Sequence, residues 1–236
     1  MIGAIVSCYN QHTTVGDTIE SLIVQRAALD CGLDVQMIDD ASVPPIMVDH
    51  TFPLPDDVCI TQCGSDENGG VQRIRNRGFK IYRDYYLRDD QPEFVIFVDG
   101  DVTFNPGAFA AMKKALEESD ESVAYAYGHY SRTGALTGRF CACPFNGARL
   151  RQHNYISTMS LIRFNVLVEA TPLPFIEDEL RLQDWSLWLR LLNAGYTGVM
   201  VNEVLFSAYY PNSGISVRDP LDYQNWREII AKKYNT

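Results

Sequence analysis

The apolar positions fall into short runs separated by segments of helical period, most clearly in the first hundred residues. Phe94–Val98 is apolar without alternation, as expected of a strand buried on both faces, and Ile2–Val6 and Leu33–Ile38 read as companion strands. Residues 15–27 carry Val15, Ile19, Leu22 and Ile23 at helical spacing, and residues 71–87 read as a helix entered through Gly69 and Gly70. Pro44, Pro45, Pro53 and Pro55 mark a loop-rich crossing, with a short strand predicted at Val58–Thr61. After Phe94–Val98 the pattern predicts a helix with Asn105 as N-cap, Pro106 at its first position, and a stripe of Phe109, Met112 and Leu116.

Periodicity weakens downstream. A strand is predicted at Val123–Tyr127, and residues 128–153 show little pattern. A helix begins near Asp184 with Trp185, Trp188, Leu189 and Leu192 on one face, so both tryptophans read as core. Gly195 ends it, and Val199–Phe206 supplies another strand.

Strand–helix alternation with right-handed crossovers builds an α/β fold, a mainly parallel central sheet with helices on both faces, in one domain. Ligands on such sheets sit beyond the carboxyl ends of the strands. Three strand ends here carry polar clusters, Ser7-Cys-Tyr-Asn10, Asp39-Asp40 and Asp99-Gly-Asp101, and they converge on one crevice. A buried strand delivering Asp99 and Asp101 to its end suits a hard divalent cation that also holds phosphate oxygens; a polar turn closing the strand is the plainer alternative.

Composition adds exclusions. With 46% apolar and 21% charged residues the chain reads as soluble and globular. No apolar run approaches the roughly 18 residues of a membrane span, and the start lacks the basic residues of a signal peptide, so a cytoplasmic location is expected. The formal net charge of −10 argues against general affinity for nucleic acid, although Arg73, Arg75, Arg77 and Lys80 form a local basic patch. Cysteines at 8, 31, 59, 63, 141 and 143 lack the paired spacing of a zinc site and are expected to be reduced and mostly buried.

Four segments together resemble the inverting, nucleotide-sugar-dependent glycosyltransferases of family 2, which have the GT-A fold. They are Ile5-Val-Ser-Cys-Tyr-Asn10, Met37-Ile-Asp-Asp-Ala-Ser42, Asn68-Gly-Gly-Val-Gln-Arg-Ile-Arg-Asn-Arg-Gly78 and Asp99-Gly-Asp101, in order and with fitting spacing. A fifth, Gln183-Asp-Trp185 at a helix start, is similar to the family's acceptor-side motif. The resemblance implies sugar transfer from a nucleoside-diphosphate donor, a UDP-sugar by family precedent, to a hydroxyl of an acceptor glycan or other compound. It implies Asp184 as general base, with Asp39 hydrogen-bonding the nucleobase and Arg75 as another nucleotide contact. Ser7, Tyr9, Asn10, Asp40, Asp99 and Gly100 join that nucleotide-sugar set. Asp101, assisted by Asp99, would hold Mn²⁺ or Mg²⁺. A carboxylate at a helix N-terminus is expected to stay ionised, which suits a base; the bland role for Asp184 is to cap the helix.

The resemblance covers residues 1–216, with 1–105 as the nucleotide-sugar half and 106–216 as the acceptor half; 217–236 reads as a helical tail. One departure stands out: the run Ala208-Tyr-Tyr-Pro-Asn-Ser-Gly-Ile-Ser216 lacks the Arg and His that many members carry there. Arg132, Arg139, Arg149 and Arg151 raise the possibility of an anionic acceptor. Two rival readings remain: a non-catalytic sugar-nucleotide binder, and a haloacid-dehalogenase-type phosphatase with Asp99 as nucleophile and Asp101 as acid/base.

Overall fold

The structure, a computed structural model, describes residues 1–48, 54–86, 90–210 and 220–234. Strand β1 (Ile2–Cys8) leads into α1 (Val15–Gln25) and a 3₁₀ turn (Arg26–Ala28), then β2 (Leu33–Asp39) and β3 (Val58–Gly64). Helix α2 (Val71–Asp84) crosses to β4 (Phe94–Asp99), followed by β5 (Val102–Phe104) and α3 (Ala108–Glu117). The second half comprises β6 (Val123–Gly134), β7 (Gly138–Phe140), α4 (Gly147–Leu150), β8 (Leu161–Arg163), α5 (Phe164–Ala170), α6 (Gln183–Asn193), β9 (Thr197–Tyr210) and α7 (Pro220–Tyr234).

Among the described residues, nine strands join one sheet in the order β3-β2-β1-β4-β8-β6-β9-β5, with β7 hairpinned on β6. The portion β3-β2-β1-β4 is parallel throughout. Beyond β4 the sheet becomes mixed: β8 is antiparallel to both neighbours, β9 runs parallel to β6, and β5 is antiparallel to β9. The parallel half therefore has its carboxyl ends on one edge, and β5 and β9 fold back toward that same edge.

Two apolar layers sandwich the sheet. One packs Val15, Ile19 and Leu22 of α1 and Phe109, Met112 and Leu116 of α3 against Ala4, Val6 and Ile96. The other packs Ile74, Phe79 and Tyr82 of α2 and Trp185, Leu187 and Trp188 of α6 against Ile5, Val95 and Phe97. Odd and even positions of β1 and β4 feed opposite layers, which is why these strands read as unbroken apolar runs. Trp185 and Trp188 are fully buried, in agreement with their predicted core role.

Local differences from the sequence reading have physical causes. The third helix starts at Ala108, with Gly107 in a left-handed conformation before it. Asn105 does not cap it; its side chain donates to the Val204 carbonyl and ties β5 to β9. Helix α7 docks through buried Ile230 and through Lys233 and Tyr234, both of which donate to the Glu179 carboxylate. The cysteines are free, but only Cys8 is buried; Cys59 and Cys141 are exposed. Cys59 and Cys63 lie on β3, where an edge position leaves side chains open to solvent.

Candidate functional site

The parallel register brings the predicted polar clusters together. Ser7 pairs with both Ile38 and Asp99, and Cys8 with Asp39, so the ends of β1, β2 and β4 lie side by side. The Ser7 hydroxyl donates to the Val98 carbonyl at 3.3 Å and reaches Asp99 Oδ1 at 3.4 Å.

Asp99 has a second partner. Arg75 projects from α2 and its Nη2 donates to Asp99 Oδ1. The guanidinium is 2% exposed and lies 5.1 Å from the centre of the Phe175 ring, which rules out a solvated helix charge. Its Nε and Nη1 are buried without a partner among the described residues. A buried guanidinium that satisfies one carboxylate and leaves two donors unpaired is unusual for a residue serving packing alone.

Asp101 lies on the turn after β4. Burial and the neighbouring charge of Asp99 push its pKa up to about 7, against a hydrogen bond from the Gln11 amide. Gly100, between the two carboxylates, is fixed by sterics: a Cβ there would sit 2.7 Å from Gln11 Oε1 and 3.0 Å from Cys8 Cβ. Two oxygen-donor carboxylates one residue apart, each raising the other's affinity for a cation, form a donor set that fits a hard divalent cation. No cluster of three or more His, Cys, Asp or Glu residues with metal-ligand spacing occurs among the described residues.

Asp39 and Asp40 are both buried and both engaged with the protein. Asp39 accepts from the Ser42 hydroxyl, from Ser42 N at 3.2 Å and from Ile46 N at 3.0 Å, shaping the loop after β2. Asp40 accepts from Gly69 N and Gly70 N, each at 2.8 Å, so the two glycines are turned toward a carboxylate of the protein itself. Asn10, at φ 54°, accepts from Val43 N through its side chain, while Tyr9 stands 49% exposed at the rim.

The segment Asn68–Gly78 serves the site and the packing at several atoms. Its glycines satisfy Asp40, Arg75 holds Asp99, and Asn76 exchanges hydrogen bonds with Phe175 N and O at 3.0 and 2.8 Å. Gly78 lets α2 close on β1, since a Cβ there would meet Ile5 Cγ2 at 2.5 Å.

Asp184 lies in the first turn of α6. Its Oδ1 accepts from Trp185 N and its Oδ2 from Asn154 Nδ2, both at 2.8 Å. Burial is the larger effect on Asp184 and raises its pKa, with the Trp185 N–H, the charge of Arg75 and the Asn154 amide opposing it. A cavity of about 260 Å³ has both Asp99 and Asp184 in its wall, together with Asn154, Tyr130, Tyr210 and Tyr223. Asn154 and Gln11 were missed by the sequence reading, because a lone amide in an aperiodic stretch carries no local signal.

The four arginines considered for an anionic acceptor do not converge on that cavity. Arg132 lies among the rings of Tyr130, Phe140 and Tyr210 at 5.4–6.0 Å. Arg149 bonds His153, Arg151 bonds Asn193, and Arg139 is exposed on β7. Pro211, Asn212 and the rest of the departing run through Ser216 lie outside the described residues.

Residues 4–168 match the family described as Glycosyl transferase family 2. The chain belongs to that family. No curated protein sequence matches significantly. Solved structures sharing the fold of this family 2 chain include S. aureus TarS 1-349 in complex with UDP-GlcNAc, at TM-score 0.68 and 16% identity over 98% of this chain and 66% of that one. TarS 1-349 without a named ligand gives TM-score 0.64 at 17% identity, over 98% of this chain and 64% of that one. The mannosyltransferase PcManGT from Pyrobaculum calidifontis, in complex with GDP-Man and Mn²⁺, gives TM-score 0.58 at 15% identity, over 96% and 60% of the two chains. The present chain thus spans less than two thirds of these relatives' lengths. The GT-A fold they share, with a family 2 sequence, removes the phosphatase alternative, whose signature strand opens its domain. No described helix is long and apolar enough to cross a membrane.

Proposed function

We propose that this chain transfers a sugar from a nucleoside-diphosphate donor, a UDP-sugar in the first instance, to a hydroxyl of an acceptor, with inversion at the anomeric carbon. The observation that carries this reading is one cavity lined by both Asp99 and Asp184. Residues 1–105 form the donor half and 106–216 the acceptor half.

Donor recognition falls to the ends of β1, β2 and β4. Ser7, Tyr9, Asn10, Gly100 and Arg75 line or support the crevice, and Asp39 and Asp40 hold its loops in shape. Asp101 and Asp99 would hold Mn²⁺ or Mg²⁺, which when bound offsets the charge appearing on the departing diphosphate. The relatives solved with UDP-GlcNAc and with GDP-Man and Mn²⁺ support a nucleotide sugar and a divalent ion here.

On the acceptor side, Asp184 takes the proton of the attacking hydroxyl. The new bond forms between that oxygen and the anomeric carbon while the bond to the diphosphate breaks on the opposite face. A carboxylate raised above its ordinary pKa is a stronger base once ionised, so burial of Asp184 serves the reaction. The described residues lining the cavity include two carboxylates and no lysine or arginine, which favours an uncharged hydroxyl acceptor such as a glycan.

The test has two arms. Thermal shift with UDP, GDP, dTDP and CDP, each with and without Mn²⁺, is expected to show one diphosphate that stabilises in a Mn²⁺-dependent way, and no stabilisation by any would overturn the donor site. Asp184→Asn is expected to lower turnover roughly 10²–10⁴-fold with donor binding intact, and unchanged turnover would remove its role as base.

A further inference from the structure

The Asn154 side chain makes two hydrogen bonds, and together they fix which way its amide points. Oδ1 accepts from Ile156 N at 3.1 Å, and Nδ2 donates to Asp184 Oδ2 at 2.8 Å. A flipped amide would set an N–H₂ against a backbone N–H and an oxygen against a carboxylate, so only one orientation satisfies both partners.

The segment bearing Asn154 is pinned by the helix that bears Asp184. Trp185 Nε1 donates to the Leu150 carbonyl at 2.6 Å, and Trp188 Nε1 donates to the Ile156 carbonyl at 3.1 Å. Both indoles are buried. The donor and its acceptor thus belong to one hydrogen-bonded unit, α6 with residues 150–156. With Trp185 N on Oδ1, each oxygen of Asp184 holds one hydrogen bond and keeps lone-pair capacity toward the cavity.

We propose that Asn154 is a positioning residue: its amide fixes the carboxylate plane of Asp184 and holds it as the acceptor of the attacking hydroxyl's proton. The proposal rests on Asp184 being the base. Removing an N–H that bonds the charged form raises the acidity limit of a buried carboxylate. The other groups facing the same cavity are Asp99 of β4, Tyr130 of β6, Tyr210 of β9 and Tyr223 of α7, and Arg75 of α2 acts on Asp184 through its charge.

Two variants separate positioning from a mere turn. Asn154→Ala loses both hydrogen bonds. Asn154→Asp is nearly isosteric and keeps the acceptor for Ile156 N, but it sets a second carboxylate against Asp184. Carboxyl-carbon NMR on aspartate-labelled protein, with the Asp184 signal assigned from Asp184→Asn, reads the titration directly and needs no acceptor. The expected order is wild type lowest, Asn154→Ala higher by about one pH unit or more, and Asn154→Asp higher still. If either variant titrates at the wild-type position, the proposal is overturned; wild-type behaviour of Asn154→Asp alone would mean that the residue serves only the turn. Failure of the base itself is distinguished by Asp184→Asn, since unchanged turnover there sinks the catalytic reading whatever the titrations show.

Discussion

Arg75 on α2 and Asp99 at the end of β4 form an ion pair beneath the crevice, the guanidinium 2% exposed and the carboxylate 34%. The exposure is one-sided, so the cation cannot be rehydrated if its partner is lost, whereas the anion partly can. Removing the arginine is expected to cost less than the ~3–5 kcal/mol typical of breaking a fully buried pair. Removing Asp99 alone strands a buried guanidinium, and that variant takes the larger penalty.

In urea denaturation, Asp99→Asn is expected to be more destabilised than Arg75→Met, and Arg75→Met/Asp99→Asn to be more stable than the sum of the single changes implies. Additivity within about 0.5 kcal/mol would mean that the pair contributes no mutual stabilisation.

Asp101 makes stability depend on pH. Its pKa is raised to about 7, so the native state holds a proton that the unfolded chain has already released near neutrality. The corresponding stability is fully present below the ordinary carboxylate range, near about 4, and is lost as pH rises through the folded value. Calorimetry in EDTA is expected to show Asp101→Asn melting at least about 3 °C above wild type at pH 8, with the gap closing toward pH 5. A gap independent of pH would refute this account.

A third prediction concerns the contact of α2 with β1. Alanine at Gly78 would place Cβ 2.5 Å from Ile5 Cγ2 and 3.0 Å from Ile5 Cγ1. Overpacking of this kind costs ~1–3 kcal/mol, offset in part by up to about 1 kcal/mol of improved helix propensity. Gly78→Ala is therefore expected to destabilise by ~1–2 kcal/mol. Combining it with Ile5→Ala should cost less than the sum of the two, and strict additivity would show that the clash is relieved elsewhere.

How far the sequence could be read followed from the length of each signal. Ile2–Val6 and Phe94–Val98 are buried on both faces, so their apolar runs were legible, and with them the parallel half of the sheet and the convergence of Ser7, Asp39 and Asp99. Strand β8 has three residues, Leu161–Arg163, too few to show any period, yet it sits between β4 and β6 and converts the sheet from parallel to mixed. Asp101 and Asp184 were legible as residues, but their electrostatics were not. The balance at Asp184 is set by burial under other elements and by Arg75 and Asn154, which lie far from it in sequence. The four arginines are close in sequence, but two lie on the β6–β7 hairpin and two at helix α4, where they meet different partners.

That last point yields a prediction about the acceptor. The Arg132 guanidinium is 5.7 Å from the Tyr130 ring, 5.4 Å from Phe140 and 6.0 Å from Tyr210, while Tyr130 stacks between Phe140 and Phe206 at 4.8 Å on each side. A cation held over aromatic faces contributes ~0.5–2 kcal/mol, and most of its attraction is spent within the protein. Arg132→Gln is accordingly expected to lower stability by about 1 kcal/mol while leaving the salt dependence of kcat/KM unchanged. An arginine that recruits an anionic acceptor behaves differently: its loss flattens the salt dependence and penalises phosphate-bearing acceptors more than neutral ones. Measuring kcat/KM at low and high ionic strength for the wild type and Arg132→Gln decides between them, and a flattened profile in Arg132→Gln would favour the anionic acceptor.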